Sequence, residues 1–315
     1  MQSSPSVSVI ISAHNPNPGR LRRTLIGLRG QTLPLAQWET LIVDNASTRF
    51  PRAEFFLEFA PANFSLLDEP VLGLARARRR GFAAARSEIF VLVDDDNVLA
   101  PDYLSRVLAI FAQYPGIGAI GGKSIPEFET APPEWTKEFH GLLALRDLGS
   151  SALISHGLRP AGADRDAYPR FAPIGAGMAL RRDALKIWLA SQQPGAGGPS
   201  DRCGNDLTSA GDNDIVLAVM RAGWEVGYFP ELSLVHQISA ARFEPDYLAR
   251  LNRGIQKSWM QVLTLHRANP WSPLTRSSAT LRKVKTWLTY RGWSRPAGRI
   301  RWQGACGHFD GRVGS

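Results

Sequence analysis

The chain has 315 residues, 44% hydrophobic and 21% charged, the profile of a globular protein large enough for one domain or one domain with an appendage. Its formal net charge of +9 is uneven: residues 247–315 hold 13 Lys/Arg against one acid, Asp310, whereas residues 1–246 hold 24 against 27. The basic character therefore belongs to the C-terminal segment and says nothing about the body. The opening stretch, MQSSPSVSVIIS, lacks the basic and long apolar regions of a signal peptide. No run approaches the roughly 20 apolar residues of a membrane span. The two cysteines, Cys203 and Cys306, make neither a disulfide framework nor a metal-ligand spacing. A cytoplasmic, reducing environment is the expectation.

In chain order, residues 7–12 (VSVIIS) form a β-rich run stopped by the polar loop HNPNPG. Leu21, Leu25 and Leu28 then recur at helical spacing, and TLIVD at 40–44 is a second strand. A helix rich in Ala and Arg is expected over 73–86. A third strand at 89–93 (IFVLV) runs into Asp94, Asp95 and Asp96. Strands alternating with helices predict an α/β fold with a mostly parallel sheet. Continuously apolar strands fit a sheet covered on both faces. Residues 126–135 read as a surface loop, 150–173 as loop-rich, and 192–211 as a mobile Gly-, Pro- and Ser-rich stretch. Helical periodicity resumes at 214–222, and strand pieces are expected at 226–229 and 234–236 around Pro230.

Ligands of open α/β sheets bind beyond the carboxyl ends of the strands. Three strands end in polar groups there: Ser12, His14 and Asn15; Asp44 and Asn45; and Asp94 to Asp96. A lone aspartate at a strand end is more often a turn or cap than a ligand. Three adjacent carboxylates raise one another's pKa unless a cation neutralises them, and Mg²⁺ or Mn²⁺ is the usual occupant of such a site. Mg²⁺ is held typically by one or two carboxylates plus substrate phosphates, so a phosphorylated ligand is implied. Neither a GxxxxGK[ST] loop nor a GxGxxG after the first strand is present, so the phosphates are not bound by a glycine nest of those kinds.

SVIISAHN, LIVDNAS and LGLARARRRGFAAARSEIFVLVDDDN resemble the nucleotide-binding half of family 2 glycosyltransferases. GAGMALRR and SAGDNDIVLAVMRAGWEVGYFPELSLVH resemble that family's acceptor-side half. The resemblance runs over about residues 6 to 260 in order and spacing. It implies a GT-A (Rossmann-like) fold, a nucleotide-diphosphate sugar donor, a divalent cation and an inverting transfer to a hydroxyl of a glycan or lipid-linked acceptor. The catalytic domain would span 1–245, with a nucleotide half at 1–100 and an acceptor half at 101–245, and 246–315 would be a helical, basic extension.

By the same resemblance, Asp44 faces the base of the nucleotide, and Ser12, His14 and Asn15 line the base and ribose. Asp94 and Asp96 match the DxD motif, the first toward the ribose and the second on the metal, with Asp95 between them. Arg78 keeps an arginine of the donor site, and Arg79 stands where the family often has Asn. Asp212 matches the catalytic base, and His236 matches a histidine of the metal shell. Gly211 replaces the glutamate that usually precedes the base, which leaves Asp214 as an alternative base or as a charge at a helix N-terminus. A sugar-nucleotide nucleotidyltransferase is disfavoured because SAHNPNPG has neither a glycine run nor a lysine. A catalytically degenerate nucleotide- or membrane-binding protein is the other alternative.

Residues 267–302 combine nine Lys/Arg and no acid with Trp271, Trp287, Tyr290, Trp293 and Trp302. A helix over 278–290 would place Leu281, Val284, Trp287 and Leu288 on one face. That composition suits an anionic membrane surface, peripheral on its inner face, and equally suits a packed or solvated helix. Nucleic acid is not the expected partner, and the oligomeric state is left open.

Overall fold

The computed structural model describes residues 4–155, 168–191 and 210–313. His156, Cys203 and the stretch 192–209 lie outside the described residues. The elements run β1 (Val7–Ala13), α1 (Pro18–Arg29), β2 (Trp38–Asn45), α2 (Ala53–Phe59), β3 (Phe64–Glu69), α3 (Leu74–Ala84), β4 (Ile89–Asp94), β5 (Asn97–Leu99), α4 (Tyr103–Gln113) and β6 (Ile117–Phe128). A 3-10 segment, Glu134–Leu143, precedes β7 (Leu153–Ser155), β8 (Ala179–Arg181), α5 (Lys186–Ser191), α6 (Gly211–Arg221) and β9 (Glu225–Ile238). Three helices close the chain: α7 (Pro245–Leu265), α8 (Arg276–Thr289) and α9 (Pro296–Asp310).

One sheet carries the fold, in the order β3-β2-β1-β4-β8-β6-β9-β5, with β7 on β9. β1 to β4 are mutually parallel, as are β6 and β9; β8 joins β4 to β6 antiparallel, and β5 runs antiparallel to β9. The apolar runs have a direct cause in the two-residue side-chain period. Val7, Val9 and Ile11 of β1 enter one core with Leu21, Leu25 and Leu28 of α1, while Ile10 enters the opposite core with Ala77 and Phe82 of α3. β4 divides likewise: Val91 and Val93 on the first face, Phe90 and Leu92 on the second. Each such side chain contributes roughly 1.5–3 kcal/mol when fully buried.

Two expectations from the sequence differ in detail. Pro126, Glu127 and Phe128, read as loop, continue β6 beside β9. The two strand pieces around Pro230 are one long strand, β9, whose register against β6 shifts between Gly121 and Lys123. At that shift a Cβ on Gly122 would lie 1.8 Å from the Leu232 carbonyl oxygen. Only a glycine lets the strands pass so closely.

A third core joins Phe139 and Leu143 of the 3-10 segment to Ile238, to Leu248 and Leu251 of α7, and to Ile300 of α9. Gly304 and Gly307 of α9, and Gly311 just past its end, let that helix lie directly on α7. Gly122→Ala is expected to destabilise the protein by about 1–3 kcal/mol. The check is a lower urea midpoint at unchanged slope, and a wild-type midpoint would show that the strand crossing has room for a methyl group.

Candidate active site

The parallel register fixes the floor of a crevice. Ser12 lies beside Asp94 and Ala13 beside Asp44, so three strands end at one level. The His14–Asn15 loop is held against the end of β2. His14 Nδ1 is 2.7 Å from the Asn45 carbonyl oxygen, and Asn15 Oδ1 accepts from the Thr48 and Arg49 amides, each at 2.9 Å. Asn15 has φ 48°, a left-handed conformation that Asn tolerates better than most residues. Asn45 carries the connection onward: its Oδ1 accepts from the Gly73 amide at 2.8 Å, where α3 begins.

The three aspartates form the turn between β4 and β5. Asn97 closes it, accepting from the Asp94 amide at 3.2 Å and donating to Asp96 Oδ1 at 3.1 Å. The Asp96 carbonyl accepts from the Gln237 amide of β9 at 2.9 Å, and His236 is in register with Asn97. Asp96 and His236 are therefore brought together, 3.3 Å apart and both buried. Arg242 also reaches Asp96, at 3.3 Å.

The opposite wall is the start of α6. Asp212 Oδ1 accepts from Arg78 Nη1 of α3 at 2.5 Å, and its Oδ2 accepts from the Gly175 amide at 2.8 Å. Gly175 has no room for a side chain, since a Cβ there would meet both Asp212 oxygens and Arg78 Nη2 at 2.5 Å. Asp214, two residues on, points to the other side of the helix. It is buried between Trp188 Nε1 at 2.8 Å and His266 Nε2 at 2.7 Å.

The resulting crevice, about 430 Å³, is lined by Ser12, His14, Asn15, Arg78, Asp94, Asp95, Asp96, Asp212 and His236, together with Arg20 and Arg242. Asp44 is not among its lining side chains; its Oδ1 accepts from the Ser47 amide at 3.1 Å, a local turn at the rim. Arg79 and the exposed Arg76 and Arg80 are likewise absent from the lining. Arg20, Arg242 and Asn97 went unrecognised in the sequence; the GAG run at 175–177, legible as a close backbone approach or a turn, supplies the Gly175 amide to Asp212. Arg242 lies six residues past His236, and no motif marks it.

The carboxyls respond to this crowding. Burial pushes Asp94 up, and Asp96 and Asp212 add to the rise while Arg78 and His236 oppose it. Burial together with its two neighbours pushes Asp95 up to about 7. For Asp96 burial acts in the same direction, but the His236 hydrogen bond and the His236 and Arg242 charges outweigh it and hold the carboxyl below its ordinary value. His236 Nδ1 and Ser12 Oγ are buried without a hydrogen-bond partner, an arrangement that costs free energy and leaves two polar atoms for a ligand. Among the described residues no three His, Cys, Asp or Glu side chains converge as a complete metal cage. Asp96 and His236 are of a type and spacing that could share a divalent cation only with ligands from outside the protein.

Comparison with known proteins gives this geometry a context. Residues 8–188 match the sequence profile of Glycosyl transferase family 2. An uncharacterized protein of Sinorhizobium fredii, y4gI, is 28% identical over 270 residues, covering 81% of this chain and 27% of that protein. The O-antigen biosynthesis protein RfbC of Myxococcus xanthus is 29% identical over 147 residues, covering 42% of this chain and 11% of that protein. The chain thus spans about a quarter or less of the length of these relatives. Among solved structures, the mannosyltransferase PcManGT of Pyrobaculum calidifontis, in complex with GDP-Man and Mn²⁺, superposes with a TM-score of 0.56 at 17% identity, over 96% of this chain and 74% of that one. This is a GT-A glycosyltransferase neighbour, and the likeness is one of fold.

Asp214→Asn is expected to cost about 1–3 kcal/mol of stability, because the amide offers one acceptor oxygen where the carboxylate offers two, and its NH2 can meet His266 Nε2 only when that nitrogen carries no proton. Denaturant unfolding of the variant measures this, and an unchanged midpoint would show that the contact is not needed for folding.

Proposed function

Because the chain belongs to Glycosyl transferase family 2, we propose that its crevice binds a nucleotide-diphosphate sugar and transfers the sugar, with inversion, to a hydroxyl of a glycan or lipid-linked acceptor. The observation that carries this reading is the placement of Asp212 across one crevice from Asp94, Asp95 and Asp96, with Arg78 between the two walls. Residues 1–245 are read as the catalytic domain and 246–315 as its extension.

Ser12, His14 and Asn15 line the side on which base and ribose would lie, with Asp44 at its rim and Asp94 toward the ribose. Arg78, buried in the wall, orients Asp212 and faces the diphosphate side. Asp212 is the general base: it takes the proton from the acceptor hydroxyl as that oxygen bonds to the anomeric carbon and the bond to the nucleoside diphosphate breaks. Its two oxygens are preset by Arg78 and the Gly175 amide, which limits the geometries the carboxylate can adopt. Asp214 is a structural anchor in this reading, since Trp188 and His266 occupy its carboxylate away from the crevice. Asp96 and His236 would hold Mg²⁺ or Mn²⁺, which when bound neutralises charge developing on the departing diphosphate.

Transfer and hydrolysis assays over UDP-, GDP- and dTDP-sugars, with and without Mn²⁺, test the activity. Metal-dependent nucleotide binding with no turnover of any donor or acceptor would favour a degenerate protein instead. Asp212→Asn is expected to lower kcat by roughly 10²–10⁴-fold while donor binding persists. A near wild-type kcat removes Asp212 from the role of base. Asp96→Asn and His236→Ala are each expected to weaken Mn²⁺ binding in the presence of nucleoside diphosphate by about tenfold or more, read by calorimetric titration. Unchanged affinity in both would place the cation elsewhere.

A further inference from the structure

The donor site leaves the basic segment unused, and its middle helix is unusual. α8 presents a cap at its start, where Thr275 accepts from the Ser278 amide at 3.2 Å. On the side that meets α9, Ala279 is buried, Lys283 pairs with Asp310, and the Lys283 carbonyl accepts from Trp302 Nε1 at 3.1 Å. The other side is largely exposed among the described residues. Leu281 is 72% exposed, Val284 54% and Leu288 56%, at helical spacings that put them on one stripe. Trp287 continues the stripe and meets Trp293 with ring centroids 4.6 Å apart, and Trp293 is itself 58% exposed. A soluble surface seldom gathers so many large apolar side chains without a partner.

The charges bordering this stripe identify the partner. Lys285 and Arg282 flank it on one side. Several basic side chains of the segment are matched to acids: Lys283 and Arg253 to Asp310, Arg299 to Asp246, and Arg301 to Glu138. Among the described residues, Arg276, Arg282, Lys285, Arg291 and Arg295 have no carboxylate within ion-pair distance. A second copy of the chain would offer the same stripe and the same uncompensated cations, which repel. An anionic lipid surface offers acyl chains for the stripe, a headgroup layer for the tryptophans and negative charge for the arginines.

We propose that α8 and the Trp293 turn dock the protein on an anionic bilayer, with Leu281, Val284 and Leu288 entering the acyl boundary. The docking face adjoins the crevice through a shared segment. Trp135 and Glu138, in the 3-10 stretch, border a hollow of about 760 Å³ with Tyr290, Arg291, Arg295 and Arg301. The far end of that stretch, Leu142 and Leu143, lines the crevice. A lipid-linked acceptor held at the surface would thus approach the site along one continuous wall. Docking itself does not depend on the sugar chemistry, and it is measured without substrate.

The experiment is flotation of the full chain with phosphatidylcholine vesicles, with or without phosphatidylglycerol, at low and high salt. Binding is expected with phosphatidylglycerol at low salt, accompanied by a blue shift of tryptophan emission. Its affinity should fall about fivefold for each charge removed in Arg282→Gln and Lys285→Gln. The triple change Leu281→Ser, Val284→Ser and Leu288→Ser, at exposed positions, should lower it at least about tenfold. Absence of wild-type flotation with phosphatidylglycerol vesicles at low salt overturns the proposal, as does equal binding by the triple variant. Sedimentation without lipid supplies a further outcome: a dimer that the triple variant abolishes, with no vesicle binding, assigns the stripe to a second copy.

Discussion

Four carboxylates and three guanidinium groups share one crevice, and the fold around it keeps them there. Asp94, Asp95 and Asp96 could not sit in consecutive positions at the end of a buried strand without compensation. Arg78 enters from α3, Arg20 from α1 and Arg242 from beyond β9, while Asn97 fixes the turn that presents the acids. The rest of the architecture supplies these groups from separate elements: parallel strands that end together, a helix that starts opposite them, and a long strand that returns His236 to Asp96. Remove the cations and the aspartates must take up protons, as Asp95 already does near neutrality.

What the chain spells out locally was legible beforehand. β1, β2 and β4 are apolar on consecutive residues because two cores claim alternate side chains, and that signal survives in a short window. β3 was not recognised: its Phe64–Glu69 run exposes Ser65 and Leu66 and ends in acids, so neither periodicity nor continuous hydrophobicity marks it. The turn residues Asp94 to Asp96, and Asp212 at a helix start, stood out by chemistry and by resemblance to the family. Arg242 and His266 did not. Each acts on a carboxylate far away in sequence, and such pairings are set by how α7 and β9 pack rather than by spacing.

The two aspartates of GDND show how position decides role. They share a helix turn and a charge, yet one borders the crevice, held by a guanidinium and a backbone amide, while the other is enclosed by an indole and an imidazole. Sequence alone could assign base chemistry to either. The two-residue offset puts them on opposite flanks of α6, and only one flank borders the crevice.

That offset has a mechanical side. His266 is the residue that ends α7, and it grips α6 twice, through Asp214 and through its carbonyl, which accepts from Arg221 at 3.1 Å. One contact lies at the first turn of α6 and the other at its last. Two contacts from one residue, at opposite ends of α6, oppose both rotation and sliding of that helix against the end of α7. Asp212, in the first turn of the same helix, therefore owes its position in part to the residue that caps α7.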